Sequence, residues 1–600
     1  MTTPNPRFRI YRRRQSSLHR SPGGPADAAP DTKTRPSERP ARDSIVGPAY
    51  RGPKRRRLAW QLLPGLALLL AAVGVWTWLQ PKPSERFDIA IVGGTILDGT
   101  GGPPFFGGLG IRGDRIASVW RGERRVSAEH LLEATGLAVA PGFIDTHSHA
   151  DGSLQADGAG LAESWSVLLQ GVTTLIVGNC GRSFVRMEDL TQQFLASRPH
   201  VNFATLVGHN SLRREVMKER LDPPTLAEQG EMERLLEQAI TAGAVGLSTG
   251  LEYRPGRFAQ PAEIVGLMHV AARMGTLHAS HLRDEGLDGT AALREVLNLS
   301  READLPLVVS HFKISGRNRC GELGERLSLL AAAREAGQTV YMDFYPYAAS
   351  SSSLDLILPD WFVRGSSTER RTWLREPPGR ERLLDELRAI PAQQGWDDFG
   401  FARVAWVAGK PGWSGRLIPE LAETERGAPG LEQQVRVLEE LLRSGGAQMV
   451  YHDLCPNALE AAALDPMAMV GSDSALRSRG SEYNPHPRGC GTMPRFFRQW
   501  TRMRGKVAPQ EAVRRMSYLP ASLFGLKDRG VLAPGAYADV VAFDPLNFAD
   551  RATYSRPLLE PVGVAWVLVN GRPAVEYGRV LEQRAGRLLR RANSASPPPS

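Results

Sequence analysis

Cysteine is scarce in this chain: four in 600 residues, at Cys180, Cys320, Cys455 and Cys490, with no CxxC among them. The sequence therefore gives no reason to expect a disulfide framework, and each cysteine has to be read alone. A glycine-rich phosphate loop is missing too. Gly93-Gly94 and the run Gly99 to Gly102 lack the GxGxxG spacing, and Pro103-Pro104 follows where a helix should start. Excess positive charge is absent from most of the chain, although the whole carries +10. Residues 1–57 hold 15 Lys and Arg against 4 Asp and Glu, so the other 543 sum to about −1. The basic character belongs to a tail without interleaved aromatics, which argues against nucleic acid as a partner. A wholly disordered chain is excluded as well, because 42% of residues are hydrophobic and can bury a core.

The tail over 1–57 is rich in Pro, Ser, Arg and Gly, has no hydrophobic period and reads as disordered. After Lys54-Arg55-Arg56-Arg57 the chain runs from Leu58 to Pro81 without one charge. A helix over 58–79 would be about 33 Å long, enough to cross a bilayer core. Trp76 and Trp78 stand at its far end, where interfacial aromatics belong. The basic cluster predicts a cytoplasmic N-terminus and a body on the non-cytoplasmic, periplasmic side. A cleaved signal peptide of the twin-Arg kind is the alternative, but no A-x-A site follows the apolar run.

Short strands are expected over Phe87–Val92, Leu109–Arg112 and Arg115–Val119, with turns between them. From residue 137 strand-length apolar runs alternate with helical periods. They are Leu137–Thr146, Thr174–Gly178, Asn202–Val207, Ala244–Ser248, Thr276–His281, Leu305–Ser310, Thr339–Phe344 and Met467–Gly471. Helices such as Leu226–Ala242 and Pro261–Met274 separate them. This alternation predicts an α/β fold, a (β/α)8 barrel over 141–515, with a doubly wound sheet as the alternative. The stretch 359–448 reads as an insertion at the catalytic face. Val564–Val569 before Asn570-Gly571 is a hairpin signal. Residues 84–140 and 516–585 should pair into one small β domain, leaving a disordered tail over 586–600.

The chemistry-bearing residues cluster at predicted strand ends. His147-Ser148-His149 ends the first, and residues i and i+2 of a strand point to one side, so both imidazoles can reach one ion. Cys180 follows the second strand, His281 ends the fifth, His311 the sixth and Asp473 the eighth. Singly each has a plain reading: a loop or core histidine, an inert buried cysteine, a helix-capping aspartate. Jointly, sulfur, imidazole and carboxylate at the C-terminal ends of one barrel form a zinc-type ligand set. His278 lies three residues before His281 and should face away, and His209 could support the site from behind. Tyr345 and Tyr347 read equally well as core aromatics.

Ala140-Pro141-Gly142-Phe143-Ile144-Asp145-Thr146-His147-Ser148-His149 resembles the first-strand signature of the amidohydrolase superfamily. Gly171-Val172-Thr173-Thr174 with Gly178-Asn179-Cys180-Gly181 is similar to the narrower N-acyl-D-amino-acid deacylase (D-aminoacylase) family, where cysteine replaces a carboxylated lysine. Ser280-His281-Leu282-Arg283-Asp284-Glu285, Ser310-His311-Phe312-Lys313, Tyr345-Pro346-Tyr347 and His486-Pro487-Arg488 agree with it, and the likeness spans about 86–580. The resemblance implies that Cys180, His281 and His311 hold a tight zinc, with His147, His149 and bridging Cys180 holding a second, looser one. Asp473 would be the general base and acid. Lys313, Tyr345 and Arg488 would bind the substrate carboxylate, and Tyr253 would polarise the scissile carbonyl.

Amide hydrolysis fits these residue types. Zinc lowers the pKa of bound water towards about 7, and a carboxylate can take that proton and return it to the leaving nitrogen. Arg488 can grip a carboxylate through two parallel hydrogen bonds. The expected substrate is an N-acyl-D-amino acid. A cyclic amide or a dipeptide with a D-residue is the alternative within enzymes, and a non-catalytic membrane-tethered barrel the alternative outside them.

Overall fold

The computed structural model of the chain describes residues 86–154, 164–480 and 483–592. The basic tail over 1–57 and the membrane helix expected over 58–79 lie outside the described residues. Among those that are described, no helix is long and apolar enough to cross a membrane.

The chain enters a mostly antiparallel sheet through β1 (Arg86–Ile96), β2 (Phe105–Arg112), β3 (Arg115–Arg121), β4 (Ser127–Glu133) and β5 (Ala138–Pro141). It then builds the barrel from β6 (Phe143–Asp145), β7 (Val172–Val177), β8 (Asn202–Gly208), β9 (Gly246–Gly250), β10 (His278–His281), β11 (Leu307–Val309) and β12 (Val340–Phe344). An insertion holds β13 (Ser350–Ser353), β14 (Ala402–Trp406) and β15 (Gln448–Tyr451) before β16 (Ala468–Val470) completes the barrel. The first sheet is finished by β17 (Val540–Phe543), β18 (Val564–Val569), β19 (Arg572–Glu576) and β20 (Arg579–Val580).

Strands β6 to β12 and β16 form one parallel sheet of eight. It closes where β6 and β16 run out: Ser148 bridges Ser474, and the Asp473 amide donates to the His147 carbonyl at 2.7 Å. Every residue of β7 and β8 is buried, as expected for parallel strands covered on both faces. Ile144, Ile176, Leu206, Leu277, Val308 and Met469 share a core with Leu519, Phe524 and Leu526. The segment around 519–526 thus plugs the end of the barrel where the strands begin, and chemistry is left to the opposite end.

The expected strand Leu137–Thr146 is two strands in different sheets. Gly142 marks the changeover: its amide donates to Asp539 at 2.9 Å, and a Cβ there would meet the Thr173 side chain at 2.3 Å. Both strands are wholly buried, so no polar alternation betrays the break. The insertion begins earlier than residue 359, because β13 already pairs with β15 in a three-stranded antiparallel sheet. It buries its own core, including Leu383, Phe399, Ile418 and Leu438. The sheet shared by the two ends of the body does not resume at 516. Helices Pro509–Met516 and Tyr518–Leu523 belong to the barrel foot, and β17 joins β5 with Val540 opposite Pro141.

Two further expectations are corrected. Cys320 and Cys455 form a disulfide across 135 residues, which no local spacing could signal. Residues 586–592 are not a structureless tail: the Phe203 amide donates to Arg587 at 2.9 Å and the Leu589 amide to Phe203 at 2.7 Å. Arg587 and Leu589 thus bracket Phe203 of β8, and the Gly586, Arg591 and Ala592 amides donate to Pro199, Gly243 and Gly525, contacts that composition does not encode.

Candidate metal centre and substrate cavity

All ten side chains singled out in the sequence converge at the C-terminal ends of the barrel strands. Cys180 is at the centre. Its Sγ lies 3.2 Å from His147 Nε2, 3.5 Å from His281 Nδ1 and 3.5 Å from His311 Nε2. Ligand atoms of His147, Cys180, His311 and Asp473 lie within 4.8 Å of one another, as do those of His281, Glu285 and His311. His149 Nε2 is 3.1 Å from Asp473 Oδ1. One sulfur, four imidazoles and a carboxylate, nearly all withdrawn from water, are a donor set that fits one or two metal ions.

Three of these residues have left-handed backbone: Cys180 at φ 52°, His311 at φ 35° and Asp473 at φ 50°. Such a conformation costs a non-glycine residue on the order of 1–2 kcal/mol. Its concentration at three strand ends marks strain held in place by the surrounding barrel.

Each central imidazole presents one nitrogen to the sulfur and the other towards a carboxylate. His147 Nδ1 meets Asp343 at 3.2 Å, His281 Nε2 meets Glu252 at 2.7 Å, and His311 Nδ1 meets Glu285 at 3.0 Å. These contacts fix ring orientation and leave the inner nitrogen free for a cation. Asp343 also accepts the His311 amide at 2.7 Å, tying two ligand strands together. Sequence reasoning assigned no role to Glu252, Glu285 or Asp343. Only Glu285 carried a usable signal, four residues after His281. His209 does not support the site: it is buried against Glu263 at 2.6 Å. His278 likewise turns away, to Thr249 at 2.8 Å.

Electrostatics follow from this packing. Burial opposes ionisation of Cys180, but His147 and His311 outweigh it and hold the thiol well below its ordinary range. Burial likewise opposes the Asp473 carboxylate, while Arg488 and His149 overcome it and keep Asp473 well below the usual range. His281 resists burial through Glu285 and Cys180 and is raised to about 10; His149 is raised to about 9 through Asp473 and Cys180. The packing therefore favours a thiolate at Cys180 beside protonated His149 and His281.

Beside the ligands stand the groups suited to a carboxylate. Arg488 Nη1 is 2.9 Å from Asp473 Oδ2, and its guanidinium lies 4.6 Å from the centre of the Tyr345 ring. Arg488 Nε and the Tyr345 hydroxyl are buried without a hydrogen-bond partner, while Nη1 is held in the ion pair with Asp473. Buried donors left open in this way are costly unless something arrives to accept from them. The Arg488 amide is fixed by His486 Nδ1 at 3.0 Å, whose Nε2 donates to Ala349 at 2.9 Å. Lys313 differs, because Glu285 already holds its Nζ at 2.6 Å. The Tyr253 ring stacks obliquely 4.6 Å from His281, and its hydroxyl is 3.3 Å from Ser352 of the insertion. A cavity of about 320 Å³ joins Tyr253, His281, Lys313, Tyr345 and Asp473 to the insertion.

Residues 131–575 match the model of the amidohydrolase family. The chain is 35% identical over 538 residues to an N-acyl-D-glutamate deacylase of Alcaligenes xylosoxydans xylosoxydans, covering 86% of this chain and 99% of the relative. It is 34% identical over 537 residues to a D-aminoacylase of the same organism, covering 86% and 99%. The crystal structure of N-acyl-D-glutamate deacylase from Bordetella bronchiseptica, complexed with zinc and a phosphonate mimic of the tetrahedral intermediate, superposes with a TM-score of 0.71 at 34% identity. It covers 84% of this chain and all of the other. Fold, ligand geometry and likeness along nearly the whole body agree: the chain belongs to the amidohydrolase family, in its N-acyl-D-amino-acid deacylase branch.

Proposed function

We propose that the chain hydrolyses the amide bond of N-acyl-D-amino acids, giving a carboxylate and a free D-amino acid. One observation carries the reading. A metal-type donor set stands against an ionised Asp473, which lines the cavity with Tyr345 and pairs with Arg488 beside it. Cys180, His281 and His311 would hold a zinc ion tightly, and His147, His149, Cys180 and Asp473 a second one more weakly. Zinc bound there would make water nucleophilic at neutral pH and polarise the scissile carbonyl.

The chain's own residues do the rest. Arg488 and Tyr345 receive the α-carboxylate, with Lys313 adding charge beside them. Tyr253, whose hydroxyl burial keeps protonated, donates towards the carbonyl oxygen. Asp473 takes the proton of the attacking water and delivers it to the departing nitrogen. The full chain, purified in detergent and supplied with zinc, is expected to cleave N-acetyl-D-amino acids and leave the matched L-forms nearly untouched. Cleavage of neither enantiomer by a folded, zinc-loaded sample would sink the proposal.

Arg488→Lys tests the carboxylate site. A planar fork with two parallel donors is replaced by a single ammonium, so KM should rise about tenfold or more. A cyclic amide has no free α-carboxylate, and an unchanged KM would favour that class of substrate.

For location, we infer that residues 58–79 anchor the chain in the membrane with the body on the periplasmic side. The charge-free run behind Lys54–Arg57 supports this, and so does the Cys320–Cys455 disulfide, a bond that persists in oxidising compartments. Protease added outside intact inner membranes should digest the body; protection of the body would overturn the topology.

A further inference from the structure

Beyond the metal ligands the cavity runs under the insertion, and its charges are unevenly matched. Its wall carries two cations, Lys313 and Arg257, and each already has a carboxylate: Glu285 at 2.6 Å and Asp360 at 2.5 Å. Asp453 lines the same cavity and has no such partner. Its Oδ1 is buried without a hydrogen bond, and no cation among the described residues pairs with it.

Asp453 is also held rigidly. Its carbonyl accepts from the Gly316 amide at 2.9 Å, and the Cys455 amide donates to Ile314 at 2.9 Å. Ser315 bridges Leu454, and Cys455 is joined to Cys320. The carboxylate therefore rides on a short strap fastened to the segment just after Lys313. Four apolar side chains, Leu356, Ile357, Leu358 and Ile390, face the same space.

We propose that this cavity selects N-acyl-D-amino acids with a cationic side chain, D-lysine or D-arginine in kind, and that Asp453 is the specificity residue that receives the cation. The inference rests on the deacylase reading and concerns only the substrate's side chain. Lysine and arginine combine a methylene stem with a charged head, which matches an apolar wall ending at an uncompensated carboxylate. Burial pushes the Asp453 carboxyl up to about 7 despite the pull of its own backbone and of Lys313. An arriving cation would relieve that cost. A D-glutamate side chain would find no free cation and would face Asp453 with like charge.

The test is a panel of N-acetyl-D-lysine, -D-arginine, -D-leucine and -D-glutamate with the zinc-loaded full chain. The D-lysine and D-arginine forms should exceed D-leucine in kcat/KM by about tenfold and D-glutamate by about a hundredfold. Asp453→Asn keeps the shape and removes the charge, and should shrink the D-lysine to D-leucine ratio by about tenfold or more. D-leucine or D-glutamate ahead of D-lysine in the unmodified enzyme overturns the proposal, as does an unchanged ratio in D453N. Failure to cleave any of the four overturns the deacylase reading instead.

Discussion

Asp473→Asn is expected to lower kcat by about a thousandfold while the protein still folds and binds zinc. The change is nearly isosteric, so packing around residue 473 should survive. The backbone there is held independently of the side chain, since the Asp473 amide donates to His147 at 2.7 Å. What the amide cannot do is accept a proton from water and pass it on. A thousandfold loss is about 4 kcal/mol of transition-state stabilisation, within the range of a general acid–base group. The two oxygens predict a second effect. Oδ2 neutralises Arg488 at 2.9 Å, and the asparagine would leave that guanidinium without its internal anion. Substrate carboxylate should then bind at least as well, so KM should stay level or fall. A fall in kcat without a rise in KM separates loss of proton transfer from collapse of the site. If D473N kept activity within about tenfold of the parent, another group would have to move the proton.

The barrel was legible because fully buried parallel strands write continuous apolar runs: β10 to β12 and β16 fall within the segments so read, and β7 to β9 overlap theirs with ends displaced by one or two residues. The same property hid the joint between β5 and β6. Two wholly buried strands in succession look like one long one, and only the tight approach of Gly142 to Thr173 separates them. The cluster was legible because barrel chemistry gathers at strand C-termini, so the residue types of His147, Cys180, His281, His311 and Asp473 at those positions marked them as a candidate ligand set, and the family resemblance supplied their roles. The carboxylates behind them were not. Glu252 follows β9 yet orients His281 of β10, and Asp343 of β12 reaches back to His147, just past the end of β6. Such pairings depend on which strand ends meet across the barrel mouth, which a linear pattern does not contain. Distance along the chain also hid the Cys320–Cys455 bond, formed only once the insertion returns through β15.

Cys180→Ser should abolish tight zinc binding and reduce kcat/KM by more than about a thousandfold, because a hydroxyl does not ionise as a thiol does when it meets a metal. The cysteine is the one donor shared by the three central histidines, at 3.2 to 3.5 Å, so no neighbour can replace it. Metal uptake by the unmodified enzyme should in addition release protons. The surrounding imidazoles hold the thiol well below its usual range, so at pH 7 it is a thiolate with no proton to give. His281, raised to about 10, is protonated at the same pH and must lose its proton to coordinate. The sign is then fixed: binding expels protons, affinity rises with pH, and acidification weakens it by about tenfold per unit for each proton expelled. Titration calorimetry in buffers of different ionisation enthalpy would count them, with at least one proton per first zinc expected at pH 7. Binding without proton release would mean that His281 is not a ligand. Zinc retained at full affinity in the serine variant would mean the same for Cys180, and the first ion would then belong to the His147, His149 and Asp473 side of the centre.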